Sequence, residues 1–259
     1  MDAITSLSNP LIKYARALRQ KKTRVETKAF LVEGIHHVGE AIQAGWELEV
    51  ILYAPEILTS DFANKLLQNI KNIKLQPVSV KAMETLADKE NPQGILAIAK
   101  QREIHLSDLR NINRLAGVVA PQDPGNVGAI LRTLDAANVD ALFLLDGGVE
   151  LYHPTTVRAS MGTIFWKPVI QTSFEQFVQW ARDNSIQLIG TSAKADVDYH
   201  TLIPQTPWAL LLGNEQKGLT KEQISVCDVT VSIPMQGRVS SLNVAVAAGV
   251  LLYHFSIPR

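Results

Sequence analysis

From residue 115 onward the chain repeats one unit: a short run apolar at nearly every position, then a stretch long enough for a helix. The runs are LAGVVA (115–120), ALFLL (141–145), WKPVI (166–170), IQLIG (186–190), WALLL (208–212) and VTVSI (229–233). Helix-length segments at 126–137, 154–160, 174–184, 219–226 and 242–255 lie between and after them. A strand with one wet face alternates apolar and polar residues; these runs do not, so both faces need cover. Strands covered on both faces and separated by helices imply a mostly parallel sheet in an α/β domain. Ligands of such sheets bind beyond the carboxyl ends of the strands, so the loops after residues 120, 190, 212 and 233 are where a site is expected.

The first hundred residues read as a second, smaller α/β module. AFLV (29–32), EVILY (49–53) and GILAIA (94–99) are strand-like, with helices expected at 35–44, 61–70 and 79–87 and glycine punctuation at Gly34 and Gly45. The polar stretch 100–114 is the natural linker, which divides the chain into domains 1–107 and 108–259. Ahead of the first strand, residues 10–22 have the spacing of one amphipathic helix with Leu11, Tyr14, Ala15 and Leu18 on one side. Lys13, Arg16, Arg19, Lys21, Lys22, Arg24 and Lys28 crowd this region against only Asp2 and Glu26. The formal net charge is zero, which excludes nucleic-acid binding by bulk charge. A local patch of this kind suits either phosphates or a plain solvated helix face.

With 46% hydrophobic and 19% charged residues, the composition is that of a globular protein of the cytoplasm. Cys227 has no second thiol to pair with and reads as a small buried hydrophobe. The first twenty residues lack an apolar core with a cleavage site, so no secretory signal is expected. The apolar stretch 244–255 is too short to span a bilayer and contains His254, so no membrane association is expected.

Three of the expected ligand loops carry polar residues. PQDPGNVGAILRT (121–133) turns at Asp123, Pro124 and Gly125, and Asn126 stands where a helix N-cap belongs, with Gly128 leaving the start uncovered and Arg132 six residues on. GNEQKGLT (213–220) begins with a glycine directly at a strand end, where a ligand could meet the backbone, followed by Asn214 and Glu215. IPMQGRVSSLNVAVAAG (233–249) offers Ser240 or Ser241 as cap to a last helix that is apolar almost all round. Taken singly, each loop is also explained as a capped helix or a simple turn. No Walker loop, GxGxxG, HExxH or GxSxG occurs, and the histidines lack metal-ligand spacing. No metal is expected, and His36, His37 and His153 read as structural or surface residues.

Taken together and in this order, the loops resemble the three motifs of the SpoU/TrmH family of RNA ribose methyltransferases. The matching residues are Asn126, Gly128 and Arg132; then Gly213, Asn214, Glu215, Gly218 and Leu219; then Ile233, Pro234 and Met235 with Ser241, Leu242, Asn243 and Val244. The stretch Arg158-Ala159-Ser160-Met161-Gly162 is also similar to the family's. More loosely, Ile4-Thr5-Ser6, Asn9-Pro10, Lys13 and residues 30–34 are similar to the family's RNA substrate-binding domain. Gln216 and Ser240 depart from the common pattern, at positions often glycine and acidic.

The resemblance implies methylation of a ribose 2′-hydroxyl of structured RNA by S-adenosylmethionine, with ribosomal RNA as first candidate and tRNA second. It also implies a C-terminal trefoil knot and a homodimer. It places Asn126, Arg132, Glu215, Ser241 and Asn243 at the reacting hydroxyl. Thr191, Leu212, Gly213, Ile233, Met235 and Leu242 fall around the cofactor. An arginine holds its proton very tightly, so Arg132 is expected to clamp a phosphate and the forming alkoxide rather than act as base. Two other readings stay open: a non-catalytic RNA-binding or ribosome-assembly protein of the same fold, and a knotted enzyme that modifies a base.

Overall fold

The computed structural model describes residues 2–88 and 92–257. The chain forms two compact units, Met1–Arg102 with Tyr152–Trp166, and Glu103–Leu151 with Lys167–Arg259.

The first unit begins with α1 (Pro10–Ala17) and α2 (Lys21–Thr27), then β1 (Ala29–Glu33), α3 (Ile35–Gln43), β2 (Leu48–Tyr53), α4 (Asp61–Asn69), β3 (Leu75–Pro77), α5 (Val80–Leu86) and β4 (Ile95–Lys100). Its sheet runs β1-β4-β2-β3, with β4 antiparallel to both neighbours and β3 parallel to β2. Two features were not visible in the sequence pattern: the three-residue β3, and a break in the helix expected over 10–22. The break has a physical cause. Arg24, buried at 1% exposure, donates to the carbonyls of Leu18 and Arg19 at 2.8 Å each, closing the corner between α1 and α2. That guanidinium satisfies orphan helix-end carbonyls and is not available to a phosphate.

β1 is buried on both faces, for two different reasons. Leu31 packs into a core with Ile12, Leu18, Leu52, Met83 and Leu96. Phe30, on the opposite face, meets Tyr152 at 4.4 Å and Phe165 at 6.5 Å between ring centroids, and Phe165 lies 5.3 Å from Trp46. The cover for that face therefore comes from the segment Tyr152–Trp166, which a cut at residue 107 assigns to the second domain. Tyr152 is anchored there by its hydroxyl, which donates to the Arg102 carbonyl at 2.7 Å.

The second unit contains β5 (Arg114–Val119), α6 (Pro124–Ala136) and β6 (Ala141–Leu145). After the segment that carries α7 (Pro154–Ala159) follow β7 (Val169–Thr172), α8 (Phe174–Asp183), β8 (Gln187–Thr191), β9 (Val197–Asp198), β10 (Trp208–Leu212), α9 (Lys221–Ser225), β11 (Val229–Ser232) and α10 (Val244–Ser256). The sheet order is β7-β6-β5-β10-β8-β11-β9, and every pairing among the described residues is parallel. Phe143, Phe177, Leu188 and Leu211 fill its core, as strands apolar throughout require. The strand expected at 166–170 begins at Val169 instead, leaving Trp166 44% exposed in the first unit.

The strand order positions the site. β10 follows β8 in the chain but lies between β5 and β8, so the carboxyl ends of β5, β10, β8 and β11 stand side by side. α10 packs against α6 and β10, which brings the last helix to the same sheet end as the first.

Candidate active site

At that sheet end the three loops are joined by one chain of hydrogen bonds. The Glu215 carboxylate accepts from the backbone N–H of Gln122, at 3.1 Å to each oxygen, and from that of Asp123 at 3.3 Å. The Asn126 amide nitrogen also donates to Glu215 Oε1, at 3.4 Å. Asn126 Oδ1 accepts from Asn243 Nδ2 at 2.9 Å, and Asn243 Oδ1 caps α10 by accepting from Ala245 and Val246 N–H at 2.9 and 3.3 Å. A carboxylate only accepts, so Asn126 must turn its NH2 to Glu215 and its oxygen to Asn243. Asn243 is then oriented from both ends, because its oxygen is taken by the helix. Asn214 adds a second tie between the first two loops: its Nδ2 donates to the Ala120 carbonyl at 2.9 Å, and its Oδ1 receives the N–H of Gln216 and Lys217.

Several local expectations change. Asn126 is not the cap of α6; Asp123 is, accepting from Gly125 N–H at 2.6 Å with Pro124 in the first turn. That shift frees the Asn126 side chain to link Glu215 with Asn243. It also puts Arg132 well inside the helix, six residues and about 9 Å of rise beyond Asn126. Arg132 is exposed and forms no hydrogen bond or ion pair among the described residues. Neither Ser240 nor Ser241 caps the last helix; both lie exposed in the loop, and Asn243 is the cap. Glu215, with both oxygens engaged by the first loop, is a tie between loops.

The expected cofactor residues share the same end of the sheet. Thr191 closes β8 and donates from its hydroxyl to the Leu211 carbonyl at 2.9 Å. Leu212 is buried at the end of β10, and Ile233 and Met235 are half-buried beyond β11. Leu242 is 37% exposed. Across 233–242 no backbone N–H or C=O bonds to another protein group among the described residues. A loop with free backbone donors and acceptors beside half-covered apolar side chains suits a ligand that is part heterocycle and part aliphatic chain. Gly213 has a different reason from the one expected. A Cβ there would come within 2.2 Å of Gly218 C and 2.3 Å of Leu219 N, so the glycine is required by the loop's own close approach.

The remaining sequence candidates are structural. His36 Nε2 lies 3.2 Å from the Met161 carbonyl, His37 Nε2 lies 3.1 Å from that of Arg158, and His153 Nδ1 caps α7 by accepting from Thr155 N–H at 3.2 Å. Cys227 is half-buried beside the core and donates to the Gln223 carbonyl at 3.3 Å. Burial, with Asp228 second, pushes its thiol up to about 11. Among the described residues no group of three or more His, Cys, Asp or Glu could hold a metal. No helix is long and apolar enough to cross a membrane.

Comparison with known proteins matches this arrangement. Residues 114–253 match the SpoU rRNA Methylase family, and residues 9–97 an MRM3-like substrate binding domain. The chain is 32% identical, over 98% of its own length and 99% of the relative's, to a 23S rRNA (guanosine(2553)-2′-O)-methyltransferase of Bacillus subtilis. It is 31% identical, over 96% and 90%, to a 23S rRNA (uridine(2479)-2′-O)-methyltransferase of Streptomyces viridochromogenes. In structure it is similar to an AdoMet-bound rRNA methyltransferase from Sinorhizobium meliloti, with a TM-score of 0.88 and 34% identity over 98% of this chain and 96% of that one.

Proposed function

The chain belongs to the SpoU rRNA Methylase family, and from that membership we propose that it transfers a methyl group from S-adenosylmethionine to a ribose 2′-hydroxyl of ribosomal RNA. The observation that carries the reading is the bonded chain Glu215–Asn126–Asn243, which fastens the three motif loops at adjacent strand ends. A non-catalytic RNA binder has no use for such a fixed set of loops around an open ligand site. The relatives act on 23S rRNA at ribose oxygens, which favours ribose over base modification.

The donor is held by Thr191, Leu212, Gly213, Ile233, Met235 and Leu242, through backbone groups of the 233–242 loop and the apolar side chains beside them. When bound, its sulfonium supplies a methyl group already activated for displacement. The protein's own task is alignment and charge. Glu215 and Asn126 are positioning residues, and Asn243 fixes the start of α10 with Ser241 next to it. Arg132, exposed and without an internal partner, clamps a phosphate of the RNA and the alkoxide that forms at the 2′-oxygen. The first unit, with Lys13, Arg16, Lys21, Lys22 and Lys28 exposed, supplies RNA affinity.

Two further assignments complete the proposal. The placement of β10 between β5 and β8, with α10 packed on α6, supports a trefoil-knotted C-terminal domain. Val246, Tyr253 and Ile257 on α10 are 53%, 45% and 60% exposed, an apolar face that supports a homodimer in the cytoplasm. The test is to map 2′-O-methyl sites in ribosomal and transfer RNA from cells with and without the gene, then restore the missing site with purified protein and S-adenosylmethionine. One site in 23S rRNA is expected to disappear and return. An unchanged map, or a lost base methylation, overturns the assignment.

A further inference from the structure

The first unit holds a cavity of about 210 Å³ that the methyl-transfer site does not use. Cofactor and drug-sized sites run to about 300–1,000 Å³, so this space is sized for a single small ring system. Leu31, Leu86 and Val157 form apolar walls, Glu33 contributes a carboxyl group, and His36, Arg158 and Met161 also line it.

Three observations mark it as more than a packing gap. Glu33 Oε1 is buried with no hydrogen-bond partner, while Oε2 accepts from Asp88 N–H at 2.9 Å. A buried acceptor left without a donor is costly, and native proteins seldom leave one unexplained. Met161 and Gly162 are consecutive residues in the left-handed region, at φ 51° and 94°. For a methionine that backbone is strained, and such strain concentrates at functional sites. It is held by His36, whose ring nitrogen meets the Met161 carbonyl, and it leaves the Met161 side chain 42% exposed. Finally, Arg158 is neutralised by Asp88 at 2.7 Å with its side chain 41% exposed, so it offers a guanidinium plane with little net charge.

An apolar slot with a free acceptor, a flat guanidinium, an imidazole and a thioether is the chemistry that takes an unstacked nucleobase. Proteins read single-stranded RNA by splaying bases out, stacking them on aromatic or arginine planes, and bonding their edges. We propose that this cavity binds one unpaired base of the RNA substrate, distinct from the nucleotide that is methylated, with a ring or exocyclic N–H of the base donating to Glu33. The assignment rests on the chain acting on RNA, and it makes the segment Tyr152–Trp166 part of substrate recognition.

The experiment uses the full chain and total cellular RNA labelled with 4-thiouridine or, separately, 6-thioguanosine. After photo-crosslinking and digestion, nucleotide adducts are mapped on the peptides. Adducts are expected on the peptide with His36 or the peptide with Met161. Met161→Ala is expected to raise the KM for 23S rRNA about ten-fold, the loss typical of one stacked base, with kcat and S-adenosylmethionine affinity unchanged. Glu33→Gln, which replaces the free acceptor by an amide, should raise KM while leaving the melting temperature within a few degrees. Adducts confined to peptides of the second unit, or an unchanged KM in folded Met161→Ala, overturn the proposal. Should 23S rRNA not be a substrate at all, the crosslink map still decides this cavity, and the failure belongs to the methyl-transfer reading.

Discussion

Two groups of arginines look alike in the sequence and have opposite fates. In the first unit Arg24 is buried and bonded to two helix-end carbonyls, Arg19 donates to the Ala87 carbonyl and pairs with Asp88 at 3.7 Å, and Arg16 donates to Thr85 at 3.2 Å. In the second unit Arg132 stands on the exposed face of α6 with no partner among the described residues. Counting cations along the first thirty residues therefore overstates the charge available to RNA. A cation is free for a ligand only when no backbone carbonyl or carboxylate within the fold has already claimed it.

The sharpest way to break this contrast is Arg24→Ala. Each buried acceptor stripped of its partner costs about 1–3 kcal/mol, so the loss should total about 2–5 kcal/mol, read as a lower urea midpoint. A variant as stable as the parent with weakened RNA binding would make Arg24 a phosphate contact after all. Arg132→Ala should do the reverse: stability within about 0.5 kcal/mol of the parent and single-turnover methyl transfer slower by about thirty- to a thousand-fold, or 2–4 kcal/mol of transition-state stabilisation. Arg132→Lys should keep partial activity, because it keeps the charge and loses the two-pronged geometry. Parental rates for Arg132→Ala would return the residue to the surface.

Asn243→Ala sits between these extremes, since it removes a helix cap and the end of the loop tie together. Loss of the cap should lower stability by about 1 kcal/mol, and methyl transfer should fall further than that fraction of unfolding explains. A rate that merely tracks stability would separate Asn243 from the site. The smallest effect concerns Cys227, whose thiol is raised from 9.0 to about 11 by burial, with Asp228 second. The unfolded chain loses that proton first, so this contribution to stability is full below about pH 9 and is lost as pH rises toward 11. Cys227→Ala should flatten the stability profile over that window. Alkylation of the native thiol at pH 8 should be slow compared with the unfolded chain.

Much of the molecule was legible in the amino-acid order. Strands that are apolar at every position demand two covered faces, and that alone leads to the parallel sheet and to the strand-end loops where Asn126, Glu215 and Asn243 converge. Loop spacing placed the motifs, but not how they bond. The helix start moved from Asn126 to Asp123 because a proline fits the first turn of a helix, and the freed Asn126 became the middle of the chain of bonds.

What the order could not contain is which distant group meets which. The break between α1 and α2 depends on Arg24 folding back onto carbonyls five and six residues away, although the apolar spacing continues through it. Phe30 in β1 announces that a second face needs cover, yet only the fold shows that Tyr152 and Phe165 provide it. The insertion of β10 between β5 and β8 is likewise invisible to periodicity, since each apolar strand could pair with any other. Periodicity reports how a segment meets its immediate surroundings; the identity of those surroundings is set by packing and hydrogen bonds between residues far apart in the chain, which only the tertiary structure resolves.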